Sequence, residues 1–97
     1  METQFPANYQ KDIARATEIL RSAGCTHIYL FGSLTRGDIR SESDIDLAVR
    51  GCARGQYFRV LGKLLLALDH PVDLIDLDRN DGFARFLESE GELIQIA

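Results

Sequence analysis

Alternating helical and extended patterns predict an α/β domain, with helices packed on a small mixed β-sheet. Three observations carry that expectation. Two stretches, residues 9–23 and 56–68, repeat apolar side chains at helical spacing. Three short runs, HIYLF at 27–31, DIDLAV at 44–49 and VDLIDL at 72–77, have the composition or the alternation of strands. Glycine or proline punctuates most of the junctions between them.

The first helix is expected over Tyr9 to Ala23, with Ile13, Ala16, Ile19, Leu20 and Ala23 inward and most charges elsewhere. Asn8 is suited to cap its start, and Gly24 to end it. His27 to Phe31 follows as a buried strand. Gly32 ends that strand, and Ser33 is placed to cap a short helical turn through Leu34, Thr35 and Arg36. After a polar loop, Asp44 to Val49 sets Asp44, Asp46 and Ala48 on one face and Ile45, Leu47 and Val49 on the other. That pattern describes a strand with one face in a core and one lining a site.

Gln56 to Leu68 is expected as a second helix with an apolar stripe of Tyr57, Val60, Leu61, Leu64, Leu65 and Leu68. Pro71 breaks it, and Val72 to Leu77 forms a third strand. Phe83 to Glu90 is expected as a short helix with Phe83, Phe86 and Leu87 inward, and Leu93 to Ile96 as a small edge strand. No repeat, low-complexity tract or linker divides the 97 residues, so they are read as one domain, 1–97. A chain of that length buries roughly 65% of its unfolded surface in a single core.

Composition narrows the function classes. No apolar run approaches the ~20 residues of a membrane span, and the first ten residues lack the pattern of a signal peptide. Net charge is −4, with six basic and four acidic residues from Arg36 to Lys63, then eight acidic and two basic from Asp69 onward. This is not the basic footprint of a protein that grips an extended nucleic acid. It suits a small anionic ligand in the middle segment. Cys25 and Cys52 have neither metal-ligand nor redox spacing, so reduced thiols in a cytoplasmic protein are expected. His27, His70, Tyr9, Tyr29 and Tyr57 are read as structural residues.

Chemistry concentrates in residues 30–49. A glycine at 32 lets a ligand approach the backbone closely, and the helical turn after it points free N–H groups outward. Ser33 adds a hydroxyl, and Arg36, one turn on, reaches the same anion. Gly32 and Gly37 also have P-loop spacing, but Asp38 stands where that motif needs lysine. A carboxylate there repels phosphate, which argues against a P-loop ATPase. Asp44 and Asp46 project from one strand face and are placed to share one or two divalent cations. A third acid is required from the next strand. Alternation favours Asp73, with Asp76 pointing the other way as the alternative.

These residues carry a family resemblance. Gly32-Ser33, ten residues, then Asp44-x-Asp46 matches the GS-x10-DxD signature of the DNA polymerase β-like nucleotidyltransferases. The fuller form GSxxRGxxxxxSDxDL is matched at Gly32, Ser33, Arg36, Gly37, Ser43, Asp44, Asp46 and Leu47. With the later VDLIDL strand, the chain resembles the minimal nucleotidyltransferases, or MNT proteins, over nearly its whole length. Thr35 stands where many relatives have alanine, which leaves the catalytic pattern intact.

The resemblance implies a polymerase β palm-like fold. It implies that Gly32 and Ser33 hold the β- and γ-phosphates of ATP or another nucleoside triphosphate, with Arg36 assisting. Asp44 and Asp46 would bind two Mg²⁺ ions, and Asp73 would bind the catalytic metal and help deprotonate the acceptor. The implied reaction moves AMP to a tyrosine of a HEPN-type toxin, the chain being the antitoxin of a type VII pair. Two alternatives are a module that masks its partner by contact, and a nucleotidyltransferase for a small molecule.

Overall fold

Alternation in the DIDLAV segment decides how the molecule is layered. The computed structural model describes residues 7–32, 35, 44–79, 81–91 and 93–97. Helix α1 (Ala7–Ser22) leads into strand β1 (His27–Phe31) and strand β2 (Ile45–Arg50). Helix α2 (Tyr57–Ala67) is followed by β3 (Val72–Asp76) and a 3-10 turn (Leu77–Arg79). Helix α3 (Gly82–Glu90) and a short β4 (Ile94–Gln95) complete the described elements. The sheet order is β3-β2-β1-β4. β1 is antiparallel to β2 and β4, while β2 and β3 are parallel, so the sheet is mixed as expected. A parallel pair needs a crossover connection, and α2 is that connection.

Ile28, Leu30, Ile45, Leu47, Val49, Val72 and Leu74 form one sheet face, which packs against α1 and α2 as the main core. The opposite face carries Ala48, which packs with Leu77, Ala84 and Leu87 beneath α3. Asp46 and Asp73 belong to this second face by register. One face is therefore sealed by two helices, and the other is only partly covered by one.

The structure corrects three readings at the level of packing. Phe83 and Phe86 are not inward: Ala84 and Leu87 are the buried residues of α3, and the two rings stand half exposed. Only one arc of so short a helix can meet the sheet, and Ala48 leaves room for the alanine and leucine. On α2, Leu65 is half exposed, and Phe58 and Leu66 are almost wholly so, because the buried arc centres on Val60 and Leu64.

The third correction concerns the cysteines, which form a disulfide. The N–H of Thr26 donates to the carbonyl of Arg50, extending the β1–β2 ladder by one step and leaving Cys25 opposite Cys52. Register brings together two residues whose spacing in sequence suggests nothing.

A further tie was not legible in the pattern. Asp12, on α1, is buried and accepts hydrogen bonds from the N–H groups of Asp69 and His70 and from the His70 ring. Burial alone would raise its pKa, but the His70 ring and the two backbone donors together outweigh that and hold it below its ordinary 3.8. His70 also stacks on the buried Tyr9 at 3.9 Å, so both residues serve structure, as expected. This knot fixes the turn that launches β3.

Candidate active site

The acids converge through strand register. Asp46 on β2 lies directly beside Asp73 on β3 and opposite Phe31 on β1. Neighbouring strands run about 4.8 Å apart, so the carboxylates of Asp46 and Asp73 rise side by side from one face. Asp44 immediately precedes β2 and shares Asp46's side by alternation. The parallel ladder begins beside it, where the N–H of Ile45 donates to the Pro71 carbonyl at 2.8 Å. Asp44 and Asp73 are exposed, and Asp46 is half buried.

Gly32 shapes the same corner. Its φ is +77°, in the left-handed region that a side chain disfavours. A Cβ there would sit 2.1 Å from the Asp46 Oδ2 atom. The Asp46 carboxylate thus lies against bare backbone, a position available only beside glycine. Thr35 donates to the Gly32 carbonyl through both its N–H (3.1 Å) and its hydroxyl (2.7 Å). The expected phosphate ligands Ser33 and Arg36, and the cap assigned to Ser33, lie outside the described residues.

Asp76 is placed elsewhere. It pairs in register with Val49, on the sheet face opposite Asp46. Its carboxylate accepts the N–H of Asp78 at 3.0 Å and lines a cavity of about 360 Å³ with Leu74, Tyr57, Arg54 and Arg79. None of Asp44, Asp46 and Asp73 lines that cavity. Tyr57, which does, donates its hydroxyl to the Leu74 carbonyl. Burial and the nearby Asp73 charge both raise its pKa.

The donor set suits hard divalent cations, which take carboxylate oxygens from flexible arrangements. Two acids abreast on adjacent strands, a third two residues away, and a glycine that leaves room for one of them fit such ions chemically. Among the described residues, no three His, Cys, Asp or Glu side chains already close on a common point.

Sequence reasoning missed the position of α3. It crosses the acid-bearing face, with Phe83 meeting Phe31 edge-on at 6.3 Å, and Glu88 pairing with Arg50 at the other end of β2. The signal was present in Ala84 and Leu87, spaced one turn apart, but larger aromatic neighbours obscured it.

Known proteins resemble this chain in sequence and fold. Residues 15–96 match the family described as polymerase beta, nucleotidyltransferase. A toxin–antitoxin complex with AMP-PNP contains a chain 31% identical, with a TM-score of 0.63 over 87% of this chain and 70% of that one. The toxin–antitoxin MntA–HepT gives 28% identity and a TM-score of 0.59, covering 87% and 69%. A complex of tri-AMPylated Shewanella oneidensis HEPN toxin with MNT antitoxin gives 30% identity and a TM-score of 0.58, covering 87% and 69%. No curated protein matches the sequence.

Proposed function

We propose, for a chain that belongs to the polymerase beta nucleotidyltransferase family and is of its minimal, MntA-like kind, that it transfers AMP from ATP to a tyrosine of a HEPN-type toxin. The observation that supports this reading best is Asp46 and Asp73 abreast on one open sheet face, with Gly32 against the first. Relatives of similar fold are found with AMP-PNP and with an AMPylated toxin, which favours adenine as the base and a protein as the acceptor.

In the proposed reaction the acceptor oxygen attacks the α-phosphate in line, its bond to phosphorus forms, and pyrophosphate leaves. Gly32 and Ser33 would hold the β- and γ-phosphates through backbone N–H groups and a hydroxyl, and Arg36 would steady the same end. Asp44, Asp46 and Asp73 would hold Mg²⁺, two ions in the full site. When bound, these ions supply charge that offsets the triphosphate and the entering and leaving oxygens. The Asp73 carboxylate, exposed at the outer strand, would take the acceptor's proton.

The test uses the chain and the protein encoded by its neighbouring gene, with ATP and Mg²⁺, reading the partner's intact mass. The expected result is a gain in steps of one AMP, lost in the double variant Asp44→Ala, Asp46→Ala. Neutralisation of the partner with unchanged mass, surviving that double substitution, would mean masking by contact and would overturn the transferase reading.

A further inference from the structure

The described acids hold nucleotide and metal chemistry, but nothing among them grips an acceptor. We infer that the exposed aromatic flank of α3, Phe83 and Phe86, is the docking ridge for the protein that presents the acceptor hydroxyl. This inference rests on the transfer reaction proposed above.

Three contacts fix how α3 lies on the sheet. Ala84 and Leu87 sit over Ala48 in the middle of β2. Glu88 pairs with Arg50, the last residue of that strand. Phe83 meets Phe31, whose register partner is Asp46 near the first end. The helix therefore crosses the strand with its Glu88 flank away from the acids and its aromatic flank toward them.

Phe83 and Phe86 lie one helical turn apart and are 50% and 56% exposed. They make an apolar edge at the rim of the open face. An acceptor hydroxyl must come from that side, because Asp46 and Asp73 project from it. A protein that delivers a hydroxyl to Asp46 and Asp73 must lie over the acid end, and the aromatic flank is the apolar surface bordering it.

Shape selects the occupant. A nucleobase is held in a concave slot that covers most of its surface. The two rings stand on the convex side of a helix, and the 360 Å³ cavity opens on the opposite face of the sheet. A ridge of this kind is covered by a broader surface with an apolar groove, such as a protein offers beside its acceptor residue. Aromatic residues at the centre of such contacts commonly carry a large share of the affinity.

The experiment compares the unvaried chain with Phe86→Ala and with the double variant Phe83→Ala, Phe86→Ala, using the same partner. Two quantities are read: the dissociation constant for the partner without nucleotide, and the KM for ATP at saturating partner. Circular dichroism checks each fold, and Phe86→Ala leaves the Phe83–Phe31 ring contact in place. We expect partner affinity to fall at least roughly 10-fold in the double variant, and measurably in Phe86→Ala, with the KM for ATP unchanged. A raised KM for ATP with unchanged partner affinity makes the flank a base platform and overturns the inference. Unchanged values for both overturn it as well, while transfer by the unvaried chain leaves the proposed function standing. An unvaried chain that neither binds nor modifies the partner overturns the proposed acceptor, and the ridge with it.

Discussion

Gly32 is the residue on which the site's local geometry turns. It adopts φ +77°, and a side chain there would occupy the space of the Asp46 carboxylate. Gly32→Ala therefore does two things: it strains the backbone by roughly 1 kcal/mol and drives Asp46 from its place. A misplacement of about 1 Å in a catalytic group costs about 100-fold in rate. The proposed AMP transfer is expected to fall by at least that factor in Gly32→Ala while the thermal midpoint moves only a few degrees; steady-state kinetics and a melting curve separate the two effects. At this scale much was legible. Strict alternation in VDLID separates Asp73 from Asp76 and favours Asp73, with Asp76 as the alternative; the register sets Asp73 beside Asp46 and Asp76 beside Val49. The intimacy of Gly32 with Asp46 was not legible, because it depends on how β1 meets β2 rather than on either strand alone.

Between elements, Asp12 is a buried charged tie. It holds α1 to the turn between α2 and β3 through three hydrogen bonds, and so fixes the entry of the strand that carries Asp73. Its pKa lies below the ordinary 3.8 in the folded chain. The stabilisation from its charge is therefore fully present above that ordinary value and is lost as pH falls through the lower, folded one. Asp12→Asn is expected to lower stability by about 2 kcal/mol at pH 7. It should also flatten the loss of stability below pH ~4; urea unfolding between pH 7 and pH 2 measures both. Helical periodicity could not reveal this residue, since a charge within an apolar stripe reads as an exception until its distant partners are known. The same limit applied to α3. Phe83, Phe86 and Leu87 outrank Ala84 in hydrophobicity, yet the small Ala84 packs closest to the sheet and turns the rings outward.

Across the whole molecule, α1, α2 and the sheet form one core, and the order of elements was readable from punctuation and period. The disulfide was not, because thiol pairing follows three-dimensional register. Its 27-residue separation restricts the unfolded chain enough to contribute about 3 kcal/mol. Reduction with dithiothreitol, or the variant Cys25→Ser with Cys52→Ser, is expected to lower unfolding stability by that order, read as a shift in the urea midpoint. The bond joins the loops at the Arg50 end of β2, so the proposed AMP transfer should persist below the new midpoint.

The parallel pairing of β2 with β3 has a consequence for the order in which the molecule becomes competent. Asp44 and Asp46 leave the ribosome early, but Asp73 joins them only after α2 has been made and has carried the chain back across the sheet. Parallel ladders of this kind close late, since a long loop must be ordered before any contact rewards it. A nascent chain ending before β3 thus displays the two neighbouring carboxylates without the third, and has no strand to hold their edge. The three carboxylates therefore come together only in the tertiary fold, once the crossover has formed.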